Sequence, residues 1–127
     1  MAAYCGSTDT VAWADSLLAR VHASLGDVAA AAVLSLAWAQ AGEEQAGGAG
    51  DVPEARLGQV CATGAWLAAV GFERGGAGVT LSPGDIDEAL FAVLTPLSPS
   101  QGEAVRSSSF ERAEALRTGL LGGLEAC

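Results

Sequence analysis

The chain has 127 residues, half of them apolar and 17% charged, with a formal net charge of −9. That balance fits a single globular domain around one core and excludes a disordered chain. Surplus carboxylates repel phosphate, so neither nucleic acid nor an anionic membrane surface is expected as a partner. Lysine and asparagine are absent, all six basic residues are arginine, and Ala and Gly abound. This is the residue usage expected of a high-GC bacterial genome.

The predicted elements are helical throughout. A first helix is expected from "STDT" onward, with Ser7 or Thr8 as cap and Asp9 at the positive N-terminal end. Val11, Ala14, Leu18, Val21 and Leu25 follow at spacings of three and four, which is one helical face, and Gly26 stops it.

The second helix is "DVAAAAVLSLAWAQAG", with Asp27 as N-cap and an end near Ala41. Only Ser35 interrupts the twelve residues from Val28 to Ala39. Twelve residues rise about 18 Å along a helix against about 30 Å of hydrocarbon, so this is no membrane span. Its alanines bury little area each but permit close approach of a second backbone. Self-association through this helix into a homodimer is therefore expected. "GEEQAGGAG" then reads as a Gly-rich loop.

"DVPE" opens the third helix with the spacing of a capping box, Asp51 and Glu54, and Pro53 in the first turn. Leu57, Val60, Cys61, Gly64, Leu67 and Ala68 form its inward stripe, and it ends near Gly71. A second Gly-rich loop, "FERGGAGVTL", separates it from "SPGD", where Ser82, Pro83 and Asp85 repeat the start signal. Ile86, Ala89, Leu90, Val93 and Leu94 mark the inner face of the fourth helix, which Pro96 ends. Ser98, Pro99 and Gln101 open the fifth. It runs to Gly122 with a weak point at "RSSSF", where serines compete for backbone hydrogen bonds. Phe110, Ala113, Leu116, Leu120 and Leu124 continue its apolar line. The fold class is thus all-α: a single-domain bundle of about five helices over residues 1–127, with short flexible ends at about 1–7 and 123–127.

The motifs for known chemistries are missing. A P-loop needs a lysine, and "GAGVTL" has too few glycines for a dinucleotide fingerprint. No cofactor is expected. The cysteines, Cys5, Cys61 and Cys127, are widely spaced and form no metal-ligand pattern, so no metal is expected either. Reduced thiols are the expectation, with Cys61 a small buried hydrophobe. "MAAYCGSTDT" has no basic residue and no apolar core of a leader, which together with the thiols points to a cytoplasmic protein.

His22 is the one histidine, and Asp15 lies two helical turns before it. These are the candidate acid/base residues. The acids Asp85, Asp87 and Glu88 suit the first turn of a helix without any catalytic role. Trp13, Trp38 and Trp66 are large rings among Ala and Gly, each expected on a different helix. They are the candidate ligand-binding residues, filling a core or lining a pocket for an apolar molecule. Two functions follow. The first is a small acidic accessory protein that binds a protein partner or an apolar small molecule. The alternative is a cofactor-free lyase, isomerase or cyclase that acts on a hydrophobic metabolite through Asp15 and His22.

Overall fold

The structure, a computed structural model, describes residues 2–48, 53–72, 80–95 and 107–127. Among them are two short strands, β1 (Ala2–Cys5) and β2 (Thr10–Trp13), and five helices: α1 (Asp15–Leu25), α2 (Asp27–Gln45), α3 (Pro53–Phe72), α4 (Asp85–Leu94) and α5 (Ser109–Gly122). A 3₁₀ turn, Leu124–Ala126, closes the chain. The all-α expectation holds apart from the small sheet.

The N-terminal hairpin is the main departure. Where a helix was expected from Ser7, β1 and β2 pair antiparallel with Ala2 opposite Trp13 and Cys5 opposite Thr10. Ser7 and Thr8 serve a turn instead of a cap: the Thr8 amide donates to Cys5 O. Asp9 takes the left-handed conformation, φ 49°, which a short polar side chain tolerates. Its carboxylate accepts from Tyr4 Oη at 2.8 Å and from Gln45 Nε2 at 2.7 Å. The second bond ties the hairpin tip to the C-terminal end of α2. Burial alternates along β1, with Ala2 and Tyr4 half-buried, and Ala2 packs against the core. The apolar stripe expected from Val11 therefore belongs to α1 only from Asp15 onward.

α2 is the central helix, in contact with α1, α3, α4 and the hairpin. Ala29, Ala32, Val33, Ala37 and Ala41 are buried along it. It runs to Gln45, four residues past the expected end, because no helix-breaking geometry intervenes at Gly42. Its N-terminus is capped from another helix: Glu88 Oε2 of α4 accepts from the Val28 amide at 3.1 Å, beside Asp27 Oδ1 at 3.0 Å. Gly26 is required there, since its φ of 113° suits glycine and an added Cβ would lie 2.1 Å from the Glu88 carboxylate. Asp85 accepts from the Ser82 amide at 2.5 Å, but α4 begins at Asp85 with Gly84 as its N-cap, so Ser82 and Pro83 lie in the turn before the helix and not at its cap and first position.

α3 and α5 form the most extensive helix pair. A Cβ at Gly119 would lie 1.8 Å from Cys61 O, and one at Gly64 would lie 2.0 Å from Leu116 O. The two backbones therefore touch, and glycine is the residue that lets them. Leu67 is fully buried beside this crossing, and Leu116 nearly so. The core is one cluster in which α1–α5 all take part.

Two further expectations change at the C-terminal end. "RSSSF" is a start rather than a kink: Ser108 accepts from the Glu111 amide, and Glu111 accepts from the Ser108 amide at 2.6 Å, a full capping box. With the helix beginning here, Phe110 lies in its exposed first turn instead of on an inner line. The hydrogen bonds from Ser108 hold the Glu111 carboxyl below its ordinary pKa. In addition, Cys61 and Cys127 are joined by a disulfide, and Cys5 alone is a free, exposed thiol. Cys61 is buried as expected but is not a reduced hydrophobe. Residues 2–5 and 124–126, expected as loose ends, form β1 and the 3₁₀ turn. The start signals at Asp51 and at Ser98–Gln101, and the Gly-rich centre of the second loop, lie outside the described residues, while the first loop is described as far as Gly48, where the Gly47 and Gly48 amides donate to Glu44 O and Glu43 O.

Candidate functional site: an apolar groove between two helices

α2 and α3 run antiparallel. Ser35 of α2 meets Thr63 of α3, and further along Glu43 meets Gln59. Below their line of contact the packing is closed by a chain of polar groups. Ser35 Oγ donates to Thr63 Oγ1 at 2.8 Å, and Thr63 Oγ1 donates to Gln59 O at 3.0 Å. Thr63 is fully buried, so this chain satisfies hydroxyls that would otherwise be costly to enclose.

Beside that line lies an open groove of about 1290 Å³. Its α2 wall runs from Ala31 to Gly42 and Glu43, its α3 wall from Gly58 to Ala69, and Leu120, Gly123 and Leu124 close one side. The α2 wall spans thirteen residues and the α3 wall twelve, or about 16 to 18 Å of helix. The groove exists because small residues occupy both walls. A Cβ at Gly42 or at Gly58 would meet nothing within 4 Å, so these glycines face open space. Two large rings stand among them: Trp66, half-buried and packed against the core, and Trp38, 64% exposed at the rim. A ring with nearly two-thirds of its surface in water, beside an apolar hollow, leaves contact energy unused until something fills the hollow.

The C-terminal wall is held by covalent chemistry. Leu124 and Gly123 lie just before Cys127, whose bond to buried Cys61 anchors the 3₁₀ turn to α3. Leu124 is expected on the apolar line of the fifth helix, but it lies beyond the end of α5 at Gly122 and is largely exposed at the groove.

Of the three candidate tryptophans, the structure brings Trp38 and Trp66 together and leaves Trp13 apart. Trp13 stands on strand β2, not on a helix, and its indole Nε1 donates to Asp15 Oδ1 at 2.9 Å. His22 is exposed near the C-terminal end of α1, and neither it nor Asp15 lines the groove. The carboxylate expected to work with His22 is instead engaged by an indole.

Polar groups in the groove are few. Ser35, Gln59 and Glu43 line it, and Gln59 Nε2 donates to Glu43 Oε2 at 3.1 Å. Glu43 is the one charged residue among the described lining residues. Sequence reasoning missed Glu43, Gln59 and the two open glycines. Gly42 and Gly58 fall inside helical runs where glycine is unfavourable by about 1 kcal/mol against alanine, and that cost was the available signal.

Elsewhere, Asp27, Asp85 and Glu88 bring carboxylate oxygens within 4.8 Å of one another at the N-termini of α2 and α4. Asp27 and Glu88 accept from the Val28 amide and Asp85 from the Ser82 amide, so each already has a structural task. At the hairpin, a hydrogen bond from Ser7 holds the Cys5 thiol below its ordinary pKa, while the bond to Asp9 pushes the Tyr4 hydroxyl up. Arg117 pairs with Glu114 at 3.2 Å along the exposed surface of α5, as their spacing implies. Arg112 reaches across to Leu94 O at the end of α4. Among the described residues, no helix is long and apolar enough to cross a membrane. The chain matches no known family model, no curated protein and no solved structure.

Proposed function

We propose that the protein is a small binding protein that holds an apolar small molecule in the groove between α2 and α3. The observation that carries this reading is the open volume of about 1290 Å³ flanked by Trp38 and Trp66. Ligand sites are concave, mainly apolar and largely pre-formed, with a few polar groups for orientation, and this groove has each property. The acid/base pair of the enzymatic alternative, Asp15 and His22, lies outside it.

A neutral apolar fluorophore, N-phenyl-1-naphthylamine, tests the proposal. It is expected to brighten at a single saturable site and to quench Trp38 and Trp66. The Trp13→Phe background removes the remote indole from that signal. Gly58→Phe, which places a ring in the hollow, abolishes the response while leaving the thermal melt intact. Absence of saturable binding, or binding that survives Gly58→Phe, sinks the reading.

Self-association along α2 is a second reading, and the exposed Trp38 is the observation that favours it. Sedimentation velocity at micromolar concentration separates the two. A dimer lost in Trp38→Ala supports association, and a monomer at all concentrations rejects it. On location, the Cys61–Cys127 bond favours an oxidising compartment over the cytoplasm expected from the cysteine spacing.

A further inference from the structure

The groove has two unlike ends. Ala31, Leu34, Trp66, Ala68 and Ala69 gather at one, and Glu43 with Gln59 stands at the other. The antiparallel pairing fixes this polarity, because Ser35–Thr63 and Glu43–Gln59 are successive rungs of one ladder. From the proposal that the groove is a ligand site, we infer the class of ligand: an elongated amphiphile with a cationic head, its ammonium at Glu43 and its chain laid toward Trp66.

Three observations converge on this. The walls run about 16 to 18 Å, which suits a linear chain better than a compact ring system. The head end has a carboxylate that accepts, among the described residues, from Gln59 Nε2, and a carboxylate accepts up to about four hydrogen bonds. The charge has one sign as well: Glu43 is the one charged residue among the described lining residues, and it attracts a cation. An ammonium donating to a half-enclosed carboxylate is a charge-assisted bond, which is stronger than the bond a neutral hydroxyl makes at the same place.

Three ligands that share one chain and differ in the head test this: dodecylamine, dodecanol and dodecanoate. Each is titrated below its micelle concentration against the full chain carrying Trp13→Phe, with tryptophan fluorescence as the readout. The amine is expected to bind about tenfold more tightly than the alcohol, the worth of one hydrogen bond to a charged group. Dodecanoate is expected to bind most weakly. Glu43→Gln brings the amine down to the alcohol and leaves the alcohol where it was. Asp87→Asn, which removes an exposed carboxylate on α4, leaves the amine-to-alcohol ratio unchanged and so separates Glu43 from the general pull of an acidic protein.

Equal affinity for amine and alcohol in the parent protein overturns the inference, as does a ratio that survives Glu43→Gln. In both cases binding of the alcohol still supports the groove as a ligand site. If none of the three binds, the groove reading fails and this inference fails with it. The ratio in the parent protein decides the matter even where the Glu43 variant does not fold.

Discussion

α3 uses glycine in two opposite ways. At Gly64 the missing side chain is contact: the backbone of α5 occupies the space where a Cβ would be, 2.0 Å from Leu116 O. At Gly58, less than two turns earlier on the same helix, the missing side chain is vacancy, with nothing within 4 Å. The first glycine lowers the energy of the fold by letting two helices touch. The second costs the helix conformational entropy and returns no contact. A residue that is unfavourable for its own helix and unused by the fold marks a surface kept open, and Gly42 across the groove repeats the pattern. The contrast between packed and open faces is what singles out the groove as the proposed site.

The packed face also carries the covalent clamp, and its removal has the largest expected effect. Loss of the Cys61–Cys127 bond in Cys127→Ser lowers unfolding free energy by about 4 kcal/mol, by the chain-entropy estimate for a sequence separation of 66 residues. Urea denaturation of oxidised parent and variant measures it. Equal midpoints would show that the packed face holds without the clamp.

Next comes the glycine pair itself. Gly64→Ala forces the α3–α5 crossing apart and costs about 3 kcal/mol, whereas Gly58→Ala stabilises α3 by about 1 kcal/mol because alanine is the better helix former. Opposite signs in the same melting experiment sharpen the comparison, and the same sign for both breaks it. Ser108→Ala then removes the cap that starts the packed partner, α5, at a cost of about 1 kcal/mol.

The smallest effect is a pH dependence in that same cap. The Glu111 carboxyl is held below its ordinary value of 4.5, so its contribution is present above that pH and is lost as the pH falls through the lower folded value. The difference in melting temperature between parent and Glu111→Gln should therefore shrink as the pH is lowered from 4.5. A constant difference would remove the box from the account.

Much of the helical core was legible in the sequence, because burial imposes a period. Val60, Cys61, Gly64 and Leu67 on α3, and Ala89 and Val93 on α4, are buried as their spacing implies. The hairpin was not legible, because Ser, Thr and Asp satisfy backbone groups in turns as readily as at helix caps. The turn residues "GSTD" between Tyr4 and the run Thr10–Trp13 were the competing signal. Ser108 was misjudged for the converse reason: it was read as a weakness within a helix, when Glu111 three residues on makes it a beginning. The disulfide was beyond sequence, since three cysteines allow several pairings and only the end of α5 brings Cys127 to Cys61. Trp38 and Trp66 stand among small residues on the two groove walls, as the sequence pattern implies. Trp13 was drawn in by the same pattern, which cannot tell a strand from a helix over so short a run.

The Cys61–Cys127 bond also changes what a single cut to the chain can do. It closes a covalent ring that includes the end of α3, all of α4 and α5, and both connections between them. A protease that cleaves once within residues 73–79 or 96–106 therefore opens the ring without releasing a fragment. The nicked protein runs as one species until a reductant is added. A cut between α2 and α3 lies outside the ring, so the N-terminal part then stays on by packing alone and separates on a denaturing gel without any reductant. The two walls of the groove thus differ in their tolerance of damage, because the α3 wall from Ala62 onward belongs to a closed loop and the wall built on α2 belongs to an open chain.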